Sequence, residues 1–496
     1  MKIDITLNGM LHKWRVEKVF GSSLIIAGIL LMTWFLINGD LGTGMTIALL
    51  PFLSIGLYLV MSNPYWGLML LFVVNYFLMG IYRYVTVGQL GLLMDFLLLL
   101  TLFSALTRSV FIRDLHWKKA MNAGVLLLMI WLLYGILELA NPTAVLEAWI
   151  YTIRSIIYPF IIALLTSLLF YRYKDFKVIV FLWSFFTILA VMKMQGQVSL
   201  GFDPYESRWV NQEGISRLIL LSTGTRYFSF FSDPGNFGAN MGCAMVVFTI
   251  CAIYVKKIWL KIYYAGVGLL GMYGMFVSGT RGAIAAPFAG FLLFTILTKK
   301  LKAFLVCCLF VFCAYFFLAH TSIGQGNEHI RRMRTAFDPN EPSLVVRKNN
   351  QKILANYLKY KPFGEGIGLA GAESQRFAHR ITTTIPSDSG FVKIWCQTGI
   401  VGLVFYLTIY LSIIAYGVHM VLFHIRDQEL RGYLSAVICG LTGILACTYG
   451  NSIMGQYPTV ILMAMTVAFI YLGGEYDKEI QENNNNPLRN GTNQLV

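Results

Sequence analysis

Arg226, Arg281 and Arg347 are the residues of this sequence best suited to chemistry. They come from different parts of the chain, and each lies close to the end of an apolar run or the start of a helical pattern. A guanidinium is planar, permanently charged and forked, so several that converge bind a diphosphate or a carboxylate through paired hydrogen bonds. Arg281 lies in FVSGTRGAIAA, between two long apolar runs. A cation within such a run costs about 3 kcal/mol at the centre of a membrane span, so Arg281 either marks a helix end or holds a ligand. A cluster of this kind beside a bilayer suggests a lipid-diphosphate ligand. Arg217 and Glu365 are further binding candidates, and Asp388 and His379 are among the groups nearby that could accept a proton. Asp233 lies in GTRYFSFFSDPGNFGANMG. The Asp-Pro-Gly turn there starts a helix whose N–H groups could face an anion, unless Asp233 is simply the cap.

These residues have to be positioned by membrane helices. The 496 residues are 57% hydrophobic and 13% charged, with mean hydropathy +0.65. A soluble chain would carry about twice that charge fraction. Runs of about 18 apolar residues recur along the sequence, which defines an all-α polytopic membrane protein, because open sheet edges cannot be satisfied in lipid. Spans are expected at 21–38, 44–62, 66–82, 90–107, 122–140, 156–171, 177–192, 236–255, 259–277, 282–298, 302–319, 396–423, 433–449 and 458–473, about fourteen in all. No small-x-small cleavage site follows the first run, so that span is expected to remain as an anchor. The eight cysteines have no CxxC spacing and read as packing residues, with no metal site.

Alternate connectors are basic: residues 2–18, 108–119, 172–177, 256–261, 299–302 and 426–431. Such loops face the cytoplasm, which places both termini there and accounts for the net charge of +15 without nucleic acid. The expected organisation is a cytoplasmic N-terminus at 1–20 and transmembrane helices over 21–319 with an outer loop at about 195–235. A large outer loop at 320–393, C-terminal spans over 394–473 and a disordered cytoplasmic tail at 474–496 complete it. Within the large loop, Pro342 starts a helix that Lys361-Pro362 ends, and Ser387 or Asp388 caps the next one.

GTRYFSFFSDPGNFG, VSGTRGA, the stretch from Arg347 through PFGEGIG, and DSGFVKIWCQTGIVG occur in that order. Together they resemble the O-antigen polymerase and ligase superfamily over roughly Arg226 to Leu403. In that family an arginine precedes a Pro-Asn turn and a Ser-x-Arg-Gly begins a later span. An outer loop then carries an arginine helix, a Gly-x-Gly turn and a re-entry into the membrane. The resemblance implies a GT-C-like glycosyltransferase of the bacterial inner membrane, inverting and independent of metal or cofactor. It would move a glycan from undecaprenyl diphosphate to a sugar hydroxyl. Arg226, Arg281 and Arg347 would hold the diphosphate, Asp388 or His379 would be the base, and a chain-length regulator protein would be a partner. Ligases of this family carry His-Asn at the re-entry, where this chain has Asp388 and Ser389, which favours a polymerase over a ligase.

Two other classes remain open at this stage. A lipid-linked oligosaccharide flippase also has about fourteen spans, but it should show two related halves and short loops. A membrane scaffold would leave the arginines unexplained.

Overall fold

The computed structural model describes residues 33–34, 54–84, 91–212, 214–221, 224–298, 301–338 and 341–485. The expected N-terminal segment 1–20, the expected span 21–38 apart from residues 33–34, and most of the span at 44–62 lie outside them. Among the described residues ten helices are long and apolar enough to cross a membrane, and they coincide with ten of the expected spans. The run at 282–298 is a shorter apolar helix, Arg281–Leu297, and that at 302–319 is the helix Leu301–His320. One antiparallel pairing, Leu220–Leu221 with Gly224–Thr225, interrupts this all-helical pattern and ends immediately before Arg226.

Two compact units are distinguished: Met1–Leu70 with Phe96–Arg113, and Leu71–Asp95 with Asp114–Val496. In the first, Gly67 lies against Thr101, and the Ser104 hydroxyl donates to Met61 O at 3.3 Å. In the second, small residues let helices approach backbone to backbone, as membrane helices require where lipid offers no hydrophobic drive. A Cβ on Gly271 of Ile258–Val277 would lie 2.8 Å from Met241 O on Pro234–Tyr254. One on Gly443 of Gln428–Cys447 would lie 2.8 Å from Ala286 O.

The polar connectors of the second unit form two groups. Lys119 pairs with Glu475 at 3.9 Å, Lys256 pairs with Asp427 at 3.4 Å, and Glu479 accepts from Tyr173 N at 2.8 Å. These are connectors of the basic set. In the other group, Asn141 donates to Phe363 O at 3.1 Å, Thr143 donates to Glu365 O at 3.1 Å, and Ser232 donates to Gln456 Oε1 at 3.2 Å.

Three boundaries differ from the hydropathy reading, each because a polar residue is neutralised by a distant partner. Leu146–Leu169 begins well before residue 156, since Arg154 pairs with Asp95 at 3.4 Å. Tyr173–Leu200 continues past 192, because Glu206 of the following loop pairs with Lys193 at 3.0 Å and accepts from Gln197 at 2.8 Å. The last helix runs from Thr459 to Asn485, so the tail expected to be disordered from residue 474 is helical up to that point. Buried Tyr476 donates to Phe170 O at 2.7 Å, and Asp477 accepts from the backbone of Arg426 and Asp427 at 3.0 and 2.9 Å. Residues 486–496 lie outside the described part.

Candidate active site

The turn that brings Arg281 into place is Ser278–Gly279–Thr280, between Ile258–Val277 and the Arg281 helix. Gly279 has φ +60°, a conformation that suits glycine. A Cβ there would stand 3.1 Å from Arg332 Cδ and 3.4 Å from Arg226 Cγ, so the stems of two arginines lie against this glycine. Arg332 Nε donates to Gly279 O at 2.5 Å. Arg226 donates to Thr280 Oγ1 at 2.8 Å and to Leu218 O at 3.1 Å, while its buried Nε has no hydrogen-bond partner among the described residues. Arg281 donates to Thr335 Oγ1 at 3.1 Å and forms an ion pair with Glu341.

Arg347 reaches the same place from the helix Pro342–Leu358, which is the helix expected there. Its charge, with those of Arg332 and Arg281, acts on Arg226. Burial is the main cause that brings the Arg226 guanidinium down to about 10; the like charge of Arg332 adds to it, Asp233 opposes it, and Arg281 and Arg347 add further. Arg332 is also lowered to about 10, by burial and then by Arg281, against Glu341. The three expected arginines therefore converge, together with a fourth. Arg332 stands out weakly in sequence because it is one of three arginines in the short helix EHIRRMR.

Asp388 faces this cluster. Its Oδ2 accepts from Arg347 Nε at 3.4 Å, and its Oδ1 has no hydrogen-bond partner among the described residues. Neither Ser387 nor Asp388 caps the following helix, Gly390–Phe423. Ser389 precedes it without a side-chain cap. The start is fixed by close packing instead: Gly390 N donates to Thr448 O at 2.8 Å, and a Cβ on Gly390 would meet Thr448 Cγ2 at 2.5 Å. That leaves the Asp388 carboxylate to Arg347.

Asp233 is the cap of Pro234–Tyr254. Its Oδ1 accepts from Gly235 N at 2.7 Å and Asn236 N at 3.0 Å, so these N–H groups serve the carboxylate of the chain itself. Glu365 is buried and held by Lys361 and Arg380. Burial would raise its carboxyl, but the hydrogen bonds from Lys361, Tyr357 and Arg380 outweigh that and lower it. The turn around it also repairs a break in the Gly390–Phe423 helix at Gly399, where φ is +65°. Glu365 N donates to Cys396 O and Gly366 N to Gln397 O, both at 2.9 Å, and Val401 N donates to Pro362 O at 3.2 Å. Arg217 and His379 are exposed, and neither belongs to the cluster described here.

Behind Asp388 lies a cavity of about 660 Å³, lined by the helices Leu146–Leu169 and Gly390–Phe423, by residues 370–377 and by the 448–456 connector. Arg154 is fixed there by Asp95, whose other oxygen accepts from Tyr158 OH at 2.5 Å. Sequence reasoning passed over this pair and the connector. The available signal was Asp95 itself, an acid inside an apolar run.

Fold and site thus define a polytopic helical membrane protein with a buried cationic site gathered from its connectors. Residues 265–407 match the family described as O-antigen ligase, and this segment belongs to the O-antigen polymerase and ligase superfamily. The match includes Arg281, Arg332, Arg347, Glu365, His379 and Asp388 and ends short of Arg226 and Asp233. The chain is therefore a surface-polysaccharide-related membrane enzyme. Comparison with curated proteins returns no match.

Proposed function

We propose that this chain is a surface-polysaccharide polymerase. It transfers the growing glycan from undecaprenyl diphosphate to a lipid-linked repeat unit at the outer face of the bacterial inner membrane. The observation that carries this reading is the convergence of Arg226, Arg281, Arg332 and Arg347 beside Asp388. When the bond between the sugar C1 and the diphosphate oxygen breaks, negative charge grows on the diphosphate. Guanidiniums already in place stabilise that charge without reorganising. The acceptor hydroxyl attacks C1 from the opposite face, inverting it, and its proton passes to Asp388. Arg347 orients the carboxylate through Oδ2 and leaves Oδ1 for the proton. An aspartate where the family's ligases have histidine favours the polymerase. The basic connectors support cytoplasmic termini, which sets the arginines on the outer side.

Deleting the gene and separating the surface polysaccharide on a gel tests this reading. Collapse of the ladder to a single repeat unit is expected. Polymer that accumulates on its lipid carrier without reaching the surface would assign the chain to the ligases instead.

A further inference from the structure

Arg83, in the last turn of Pro64–Tyr84, is buried, and its guanidinium serves neutral partners. Its Nη1 donates to Ser229 O at 2.9 Å and its Nη2 donates to Phe231 O. The group lies over the rings of Trp209 and Phe228, 4.2 and 4.3 Å from their centroids. Both ends of the fork are taken by backbone, so Arg83 is not a further ligand for an anion. Burying a cation is costly. What this one stabilises is the segment to which the two carbonyls belong.

That segment carries a strained residue. Ser229 has φ +53°, and among the described residues Arg113 is the other non-glycine residue with positive φ. Such a conformation costs free energy and persists only where the surroundings impose it. Ser229 is fully buried and held at every polar atom. Its N donates to Gln197 Oε1 at 2.9 Å and its Oγ donates to Ala190 O at 2.7 Å. Its O accepts from Arg83 and, at 3.3 Å, from Gln197, which also donates to Glu206 at 2.8 Å. The helix of Arg83 packs closely on the same stretch: a Cβ on Gly80 would lie 2.6 Å from Phe230 Cβ.

The kink at Ser229 lies between Arg226 and Asp233. Asp233 is fixed as the cap of the next helix, and Arg226 is tied through its N to Ile219 O at 3.0 Å. The path between them is therefore set by the backbone that Arg83 grips. We propose that Arg83 is a positioning residue: it holds Ser229 in the left-handed conformation, and that kink aims Arg226 into the cluster. The inference rests on the arginine cluster holding the diphosphate. It adds that an arginine outside both the cluster and the family match sets the cluster's geometry.

The test is a double-mutant cycle on the affinity of the purified full-length chain, in nanodiscs, for undecaprenyl diphosphate. Arg83→Gln should weaken binding about tenfold when Arg226 is present and less than about twofold in an Arg226→Ala background, because its effect runs through Arg226. Arg83→Lys keeps the charge over the rings but cannot span two carbonyls. It should show the same coupling, and it takes the place of Arg83→Gln if that variant does not accumulate. Ser229→Gly should restore most of the loss, since glycine adopts positive φ without being held there. Equal losses in both backgrounds, as general destabilisation would give, overturn the proposal; so does unchanged affinity in the Arg83 variants, or a Ser229→Gly that restores nothing. Unchanged affinity in Arg226→Ala alone would remove the arginine-cluster reading first, and the proposal with it.

Discussion

The arginine cluster and the Glu365 turn both hold charge away from water around positive-φ glycines, and they treat that charge in opposite ways. At Glu365 one carboxylate meets two cations, Lys361 and Arg380, and the backbone around it is paired with the broken helix. At Gly279 the stems of Arg226 and Arg332 pack together, with the charges of Arg281 and Arg347 close enough to act on Arg226. Glu341 pairs with Arg281, Asp388 pairs with Arg347, Asp233 is committed to its own helix start, and Arg226 Nε has no partner among the described residues. Lowering Arg226 from 12.5 to about 10 corresponds to about 3 kcal/mol of unfavourable charging, at 1.36 kcal/mol per pKa unit. An anion beside Arg226 would offset part of that energy, whereas an anion at the Glu365 turn would meet a carboxylate already in place. The family match covers Glu365 and, of the cluster, Arg281, Arg332 and Arg347, but not Arg226.

Substitutions can break or sharpen this contrast. The largest effects should come from Arg281→Ala and Arg347→Ala, which are expected to slow chain growth by at least about 10²–10³-fold while the protein still accumulates in the membrane. Lysine at position 281 should restore little, since it keeps the charge and loses the fork. A normal polysaccharide ladder from Arg281→Ala would reduce Arg281 to a partner of Glu341. Next in size is Asp388→Asn, with a loss of about 10²–10⁴-fold in transfer by a well-folded protein. Because Asp388 does not cap a helix, lost activity cannot be blamed on a lost cap, while wild-type chain lengths would move the base to His379. His379→Gln and Arg217→Ala should otherwise leave the ladder unchanged.

A pH titration reads the cluster directly. Arg226 and Arg332 are lowered to about 10, so both are charged through neutral pH and lose their protons as pH rises through 10. Affinity for undecaprenyl diphosphate should hold from pH 7 to 9 and fall above 10. Affinity that is flat to pH 11 would show that neither guanidinium touches the ligand.

Glu365→Gln should do the reverse of the arginine variants. It is expected to cost about 1–3 kcal/mol of stability, seen as a lower melting temperature, and to leave the turnover of folded protein nearly unchanged. The folded carboxyl is lowered, so its stabilisation is present above the unfolded value and is lost as pH falls through the folded one. The variant should lack that acid limb. A large drop in turnover at full stability would place Glu365 with the ligand-binding residues.

Much of the architecture was legible because hydropathy is local. Ten spans and the helix from Pro342 follow from runs and turn signals within a few residues. Arg226, Arg281 and Arg347 drew notice because each lies close to a span end or a helix start, and the charges of Arg281 and Arg347 do reach Arg226. What escaped depends on partners far away in sequence. Arg154 ends an apolar run on paper, yet Asp95 lets it sit inside a helix. Tyr476 and Asp477 look like the start of a polar tail until Phe170 and the backbone of Arg426 and Asp427 occupy them. Asp233 and Asp388 are alike in composition and position, each before a helix. Asp233 stands at the N-cap itself, whereas Asp388 stands one residue before the N-cap, Ser389, and is taken by Arg347.

The break at Gly399 bears on how the chain folds. A Cβ there would lie 1.9 Å from Pro362 O, so helix and turn fit only with glycine at that point. The backbone groups released by the break are satisfied by residues 362–366, which precede the helix in the chain. Buried in lipid without that turn, the helix would carry bare amides and carbonyls, so turn and helix have to enter the fold as one unit.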